Sequence, residues 1–176
     1  MKTTYYVGST LDGFIAEADG GVGFLSMDGL EPDLGPYEEF FGTVDSMLMG
    51  RRTFDQILGF GAWPYGEKPC WVMTHGEIDP MVKSISTASG TPGEVHAAIK
   101  NTGASHLWLV GGADLASQFL LAGLIDSVVV TILPIVLGNG IPLFSGLKET
   151  TRLVHVETIQ RSSGFVELRY GVATVE

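Results

Sequence analysis

Cysteine occurs once in the 176-residue chain, as Cys70, which excludes an intramolecular disulfide and any cysteine-cluster metal site. The thiol opens the apolar run Cys70-Trp71-Val72-Met73 and reads as a buried side chain rather than a nucleophile. Basic residues are also scarce. Ten Lys and Arg against 20 Asp and Glu leave a net charge of −10, which argues against a nucleic-acid partner and against an anionic membrane surface. Long apolar runs are missing as well: the longest, Val128 to Leu137, is too short to span a bilayer and contains Pro134. The N-terminal stretch Met1 to Val7 carries no leader pattern, so the expected location is the cytoplasm.

The familiar nucleotide and hydrolase motifs are absent too. Gly21/Gly23, Gly59/Gly61 and Gly138/Gly140 each lack the third glycine of a G-x-G-x-x-G fingerprint. There is no Gly-Lys-Ser/Thr phosphate loop, no Gly-x-Ser-x-Gly elbow and no zinc-deaminase signature. His75, His96, His106 and His155 are scattered, with no helical i,i+4 pair to hold a metal.

What the chain does have is a hydrophobic content of 45%, enough for a proper core, and a length that fits one domain over residues 1–176. Hydrophobic patterning predicts strands over 3–8, 46–49, 70–74, 84–87, 106–110, 127–133, 152–160 and 165–172. Helices are expected over 36–43, 51–58, 92–101 and 113–122. Pro92 suits a first helical turn, and Gly103 and Gly123 suit helix ends. Strand and helix alternate through the middle of the chain, which implies right-handed crossovers and a mostly parallel sheet. The last two strands alternate around Ser162-Ser163-Gly164 as an antiparallel hairpin. The expected fold is α/β, with a mixed sheet of about eight strands and four helices.

Two glycine-bearing segments, Met49-Gly50-Arg51-Arg52-Thr53-Phe54 and Val110-Gly111-Gly112-Ala113-Asp114-Leu115, each follow an apolar strand and open a helix. Such turns aim unpaired backbone N–H groups at an anion. Gly50 leaves room for a phosphate, Arg51 and Arg52 add forked donors, and Thr53 either caps the turn or donates to the anion. Either segment is equally readable as a plain strand-to-helix turn.

These segments, with three others in chain order, resemble the dihydrofolate reductase-like superfamily and, within it, the reductase domain of bacterial riboflavin biosynthesis. The other three are Val7-Gly8-Ser9-Thr10-Leu11-Asp12-Gly13-Phe14-Ile15-Ala16, Val72-Met73-Thr74-His75, and Pro134 to Phe144. The resemblance implies a three-layer fold, NADPH as cofactor, a small-molecule substrate and a homodimer in which Val128–Leu137 is a possible interface. It places Gly8 and Ile15 over the nicotinamide, Gly50 to Thr53 on the phosphates, and Thr74 and His75 at the ribose 2′-phosphate. Val110 to Leu115 lie beside the pyrophosphate, with a cis peptide between the two glycines. Asp12, the candidate catalytic residue, either makes a local turn bond or orients substrate or closes the loop near the hydride-transfer site. Phe24 and Trp63 are possible pocket walls, and Thr131 matches a substrate-side polar position.

The implied activity is reduction of a ribosylamino group on a pyrimidine to ribitylamino. A dihydrofolate reductase or a broad-specificity relative is the alternative, as is a non-catalytic nucleotide- or flavin-binding protein of the same fold. Asp33, Glu38 and Glu39 lie where dihydrofolate reductases carry a pterin-binding carboxylate, but the preferred reading of all three is solvated charges at a helix start, which weakens dihydrofolate as substrate.

Overall fold

The structure is a computed structural model that describes residues 1–26, 35–78, 83–161 and 164–173. Asp33 and the turn residues Ser162 and Ser163 lie outside the described residues. The chain runs β1 (Lys2–Thr10), β2 (Phe14–Ala16), a 3₁₀ turn (Gly23–Ser26), α1 (Gly35–Thr43), β3 (Ser46–Gly50), α2 (Arg51–Gly59), β4 (Cys70–Met73) and β5 (Ile85–Ala88). It continues α3 (Pro92–Asn101), β6 (His106–Gly111), α4 (Ala113–Leu121), β7 (Ser127–Leu133), β8 (Ile141–Pro142), β9 (Leu153–Gln160) and β10 (Val166–Val172). All eight expected strands and four expected helices are present, with ends shifted by a residue or two. β2, β8 and the 3₁₀ turn are additions too short to leave a periodic signal.

The main sheet has the order β5-β4-β3-β6-β1-β7-β10-β9. The strands from β5 to β7 are mutually parallel, and β10 and β9 complete the sheet antiparallel. Alternation along the strands sends successive side chains to opposite faces, and each face is roofed by a helix pair. On one face Tyr5, Leu48, Leu107, Leu109, Val128 and Val130 pack against Val95 and Ile99 of α3 and Leu115, Ala116, Phe119 and Leu120 of α4. On the other, Met47, Met49, Val72 and Trp108 meet Phe54 of α2, with Tyr37, Phe40 and Phe41 of α1 packed alongside. This is the three-layer architecture the resemblance implies. Cys70 belongs to the second core, 1% exposed, and burial pushes its thiol up to about 12.

β7, the strand within the apolar run Val128–Leu137, is hydrogen-bonded on both edges, to β1 and β10, and its Val128, Val129 and Val130 are buried, so it has no free strand edge. Val136, in the loop that follows, is exposed. The outermost strand on that side is β9, where Val154 and Val156 are exposed.

Phe119 is fully buried at the centre of the α3/α4 core. Phe119→Ala is expected to lower unfolding free energy by about 3–5 kcal/mol through the cavity it leaves, measured by urea denaturation.

Candidate active site at the strand carboxyl ends

Ligands of open parallel sheets bind beyond the carboxyl ends of the strands. Here β1 ends at Thr10 and β7 at Leu133, while the expected Gly50 ends β3, Gly111 ends β6 and Thr74 directly follows β4. β3 and β6 are neighbours, with Met49 opposite Gly111, so the two glycine turns come together. A Cβ on Gly50 would lie 3.8 Å from Gly111 O and Gly112 N, and one on Gly112 would lie 3.5 Å from Thr53 Oγ1. Gly111 has φ +130°, which requires glycine, and the Gly111–Gly112 peptide is cis. Gly112 has φ −82°, open to any residue, so its value at this place is the close approach it permits.

The helix starts differ in a telling way. α3 has a full capping box, with Thr91 accepting from the Glu94 N–H and Glu94 accepting from the Thr91 N–H. α2 and α4 start at Gly50 and Gly112 with no side-chain cap. Two sets of first-turn amides therefore point beyond the sheet at adjacent positions, where the helix dipoles favour an anion. Arg51 and Arg52 divide their roles. Arg51 Nε donates to both oxygens of Asp55 at 2.8 and 2.9 Å, and its Nη1 donates to Glu77 O at 3.1 Å. Arg52 is exposed and has no ion pair among the described residues. Thr74 Oγ1 accepts from Gly76 N at 3.0 Å and His75 is exposed beside it. In α4, Ala113 and Leu115 are buried, whereas the exposed Asp114 accepts from Gln118 at 2.7 Å.

The β1–β2 turn is zipped to the 134–143 segment. Leu11 N donates to Ile135 O and Leu143 N donates to Gly13 O, each at 2.8 Å, and β2 pairs with β8. Asp12 is the clasp. Its carboxylate accepts from Thr10 Oγ1 at 2.6 Å, Leu137 N at 3.1 Å and Gly138 N at 2.7 Å. Those bonds, the Thr10 hydroxyl foremost, hold its pKa at about 2. Gly140 completes the contact, since a Cβ there would run into the Ala16 carbonyl oxygen. Ile15 sits half-buried on β2 within this cover. On the α2 side, Gln56 Nε2 donates to Gly20 O and ties down the loop that follows β2.

Behind the cover, Gly8, Thr131 and Glu167 stand opposite one another across β1, β7 and β10, and therefore on one sheet face. Glu167 is 1% exposed and held by two arginines, with Arg169 Nε donating to Oε1 at 2.7 Å and Arg161 Nη2 donating to Oε2 at 3.2 Å. The Tyr6 hydroxyl is turned toward Thr131. Sequence reasoning passed over Glu167. Its only signal was a carboxylate at an inward position of an alternating strand, with Arg161 and Arg169 close in the chain.

The two aromatic residues offered as pocket walls part company. Phe24 is buried against Leu133 and Phe165, on one side of this row. Trp63 packs on Phe54 and Tyr65 beneath α2, with ring centroids 5.8 and 5.1 Å apart, and its Nε1 is buried without a hydrogen-bond partner. On α1, Tyr37, Phe40 and Phe41 face the sheet, and Glu38 and Glu39 are exposed.

Comparison with known proteins gives the family and the fold. The chain matches the RibD C-terminal domain over residues 60–166. It is 34% identical over 153 residues to the uncharacterized protein YwjB of Bacillus subtilis (strain 168), covering 86% of this chain and 87% of that one. A crystal structure of a Shewanella sp. PV-4 protein named for riboflavin biosynthesis superposes with TM-score 0.88 at 26% identity, covering 99% of this chain and 100% of that one. Dihydrofolate reductase from Enterococcus faecalis shares the fold at TM-score 0.69 and 13% identity, covering 98% of this chain and 97% of that one.

Because the Asp12 pKa is depressed on folding, the stabilisation from its bonds is present above the ordinary carboxylate pKa near 4 and is lost as pH falls toward about 2. Hydrogen exchange, corrected for intrinsic rates, should show the Leu137 and Gly138 amides protected at neutral pH and losing protection across that window. In Asp12→Ala both amides should be unprotected at every pH. The chain belongs to the RibD C-terminal domain family and has the dihydrofolate reductase-like fold.

Proposed function

We propose that this protein is an NADPH-dependent reductase of the riboflavin-biosynthesis type, acting on a small pyrimidine that carries a ribosylamino group. The observation that carries the reading is the abutment of two helix N-termini without side-chain caps, at Gly50 and Gly112, on neighbouring parallel strands. The donor set fits a dinucleotide. Backbone amides of both turns and the Thr53 hydroxyl supply neutral donors to phosphates, and Arg52 supplies the unpaired cation that an acidic protein needs there. Thr74 and His75, at the end of β4, stand within the same row of strand ends and are assigned to the 2′-phosphate. Val110 to Leu115 line the pyrophosphate, with Ala113 and Leu115 contributing backbone amides, since their side chains are in the core.

When bound, NADPH supplies the hydride, so the chain needs no nucleophile. Its own residues shape the place where transfer occurs. Gly8 leaves the β1 face open, Ile15 and the β2–β8 pair cover it, and Asp12 positions that cover rather than touching substrate. Thr131 and the Tyr6 hydroxyl offer hydrogen bonds to the substrate ring. Phe24, packed on Leu133 at the end of β7, is assigned as a supporting wall of that region, and Trp63 as support beneath α2. Glu38 and Glu39 on α1 are both exposed, and the reading takes the pyrimidine rather than dihydrofolate as substrate. A homodimer is part of the proposal, supported by the exposed Val154 and Val156 on the edge strand.

Fluorescence titration tests the cofactor and absorbance at the nicotinamide band tests turnover. NADPH is expected to bind more tightly than NADH, and the pyrimidine ribosylamine to drive its oxidation faster than dihydrofolate does. NADPH binding without oxidation by either substrate would favour a binding role, and absence of any dinucleotide affinity would sink the reading. Gly112→Val should abolish binding in a protein that still unfolds cooperatively. Arg52→Ala should weaken NADPH by about fivefold at low salt and by less at high salt.

A further inference from the structure

A second cleft lies away from the strand carboxyl ends, between α1 and the β9–β10 hairpin, with a volume of about 380 Å³. It opens over the first residues of β1 and β7, at the far end of these strands from the glycine turns. Its floor is a chain of hydrogen bonds. His106 Nδ1 lies 3.2 Å from Thr43 O and 3.4 Å from Thr43 Oγ1, Nε2 lies 2.9 Å from Thr4 Oγ1, and Thr4 Oγ1 lies 2.8 Å from Ser127 Oγ.

The direction of every bond in this chain follows from its fixed end. Thr43 O is a carbonyl and can only accept. Thr43 Oγ1 has already given its hydrogen to Phe40 O at 2.7 Å. Nδ1 of His106 must therefore be the protonated nitrogen, and in the neutral ring Nε2 must accept from Thr4. Thr4 has one hydrogen, now committed, so Ser127 must donate to Thr4. The Ser127 hydroxyl, which lines the cleft, then presents only lone pairs to whatever enters. Thr4 is 2% exposed, so water has little room to offer an alternative.

The walls define the rest of the ligand. Tyr6, Phe40 and Val129 provide aromatic and apolar surface, with Tyr6 and Phe40 stacked at 4.5 Å between centroids. The rim carries both signs, Lys2 and Arg169 against Glu39 and Glu157, and Arg169 is already paired with Glu157 and Glu167. Such a rim has no strong preference for an ion. We propose that this cleft is a second small-molecule site, separate from the dinucleotide site, that takes a neutral hydroxylated aromatic (a phenol-type ring) with its hydroxyl donating to Ser127 Oγ.

The floor also has a built-in pH dependence. If His106 gains a proton, Nε2 becomes a donor, Thr4 must accept from it and donate to Ser127, and the Ser127 hydrogen is turned out into the cleft. The floor changes from acceptor to donor. Burial, then Lys2 on β1, favours the neutral ring, whereas the Thr43 carbonyl, Asp45 and Asp126 favour the charged one. Glu39 on α1 and Glu157 and Arg169 on the hairpin line the same cleft and complete the charged surroundings.

Phenol and anisole share a ring and differ in the donor, so they serve as the probes. Amide spectra of the ¹⁵N-labelled full chain should show phenol shifting Thr4, Ser127 and Val129 saturably, with about fivefold tighter binding than anisole at neutral pH. That preference should vanish as the His106 ring titrates in the same samples, and it should vanish in Ser127→Ala, whose NADPH titration should match the parent. Equal binding of the two probes, shifts outside the cleft alone, or a preference that survives acidification or Ser127→Ala would each overturn the proposal. The acidification arm needs no variant, so it decides the matter even if Ser127→Ala fails to fold.

Discussion

The parallel pairing of β3 with β6 is the constraint on which the rest of this molecule depends. These strands are far apart in the chain and meet only because the crossovers through α2 and α3 return the chain to the same sheet. Their register places Met49 opposite Gly111, and a shift in that register falls at the very end of the pair. As a result two glycine turns, two helix starts and two sets of unpaired amides share one small region. A single helix N-terminus attracts one anionic group weakly. Here two of them stand side by side, so their fields act on the same small region.

Polar chemistry elsewhere in the fold is closed on itself to different degrees. Glu167 is fully buried and both of its oxygens are engaged by arginines, which is the condition under which an interior carboxylate is tolerated. Asp12 is exposed, yet three donors take up its carboxylate and fasten the β1–β2 turn to the segment after β7. The contrast with α2 and α4 is informative. Where the fold needs rigidity, donors and acceptors are matched within the chain; at the two glycine turns the helix starts have no side-chain acceptor.

The apolar layers separate these regions. Tyr6, Tyr37, Phe40, Phe41, Tyr65 and Trp108 form a continuous aromatic packing between α1 and the sheet. Two of these rings, Tyr6 and Phe40, also line the cleft above Ser127.

Elements with a strong local signal were legible in the chain itself: the alternating hairpin strands, the Pro92 helix start, and the strand-to-helix glycine turns, whose local sequence already specifies unpaired amides. Burial of Cys70 followed from its apolar neighbours. Other features had no local signature. The pairing of β2 with β8 is too brief for periodicity, and the interior position of β7 is invisible in a run that reads equally well as an edge. Glu167 looked like one more acidic residue until β10 turned it inward, and the direction of the His106–Thr4–Ser127 chain depends on strands that meet only in the sheet. Local chemistry sets which atoms can donate or accept and where the backbone can turn. Which of those atoms find partners, and which are left facing a ligand, is a matter of long-range register, because hydrogen bonds reach only about 3 Å and the chain must be folded before any such pair exists.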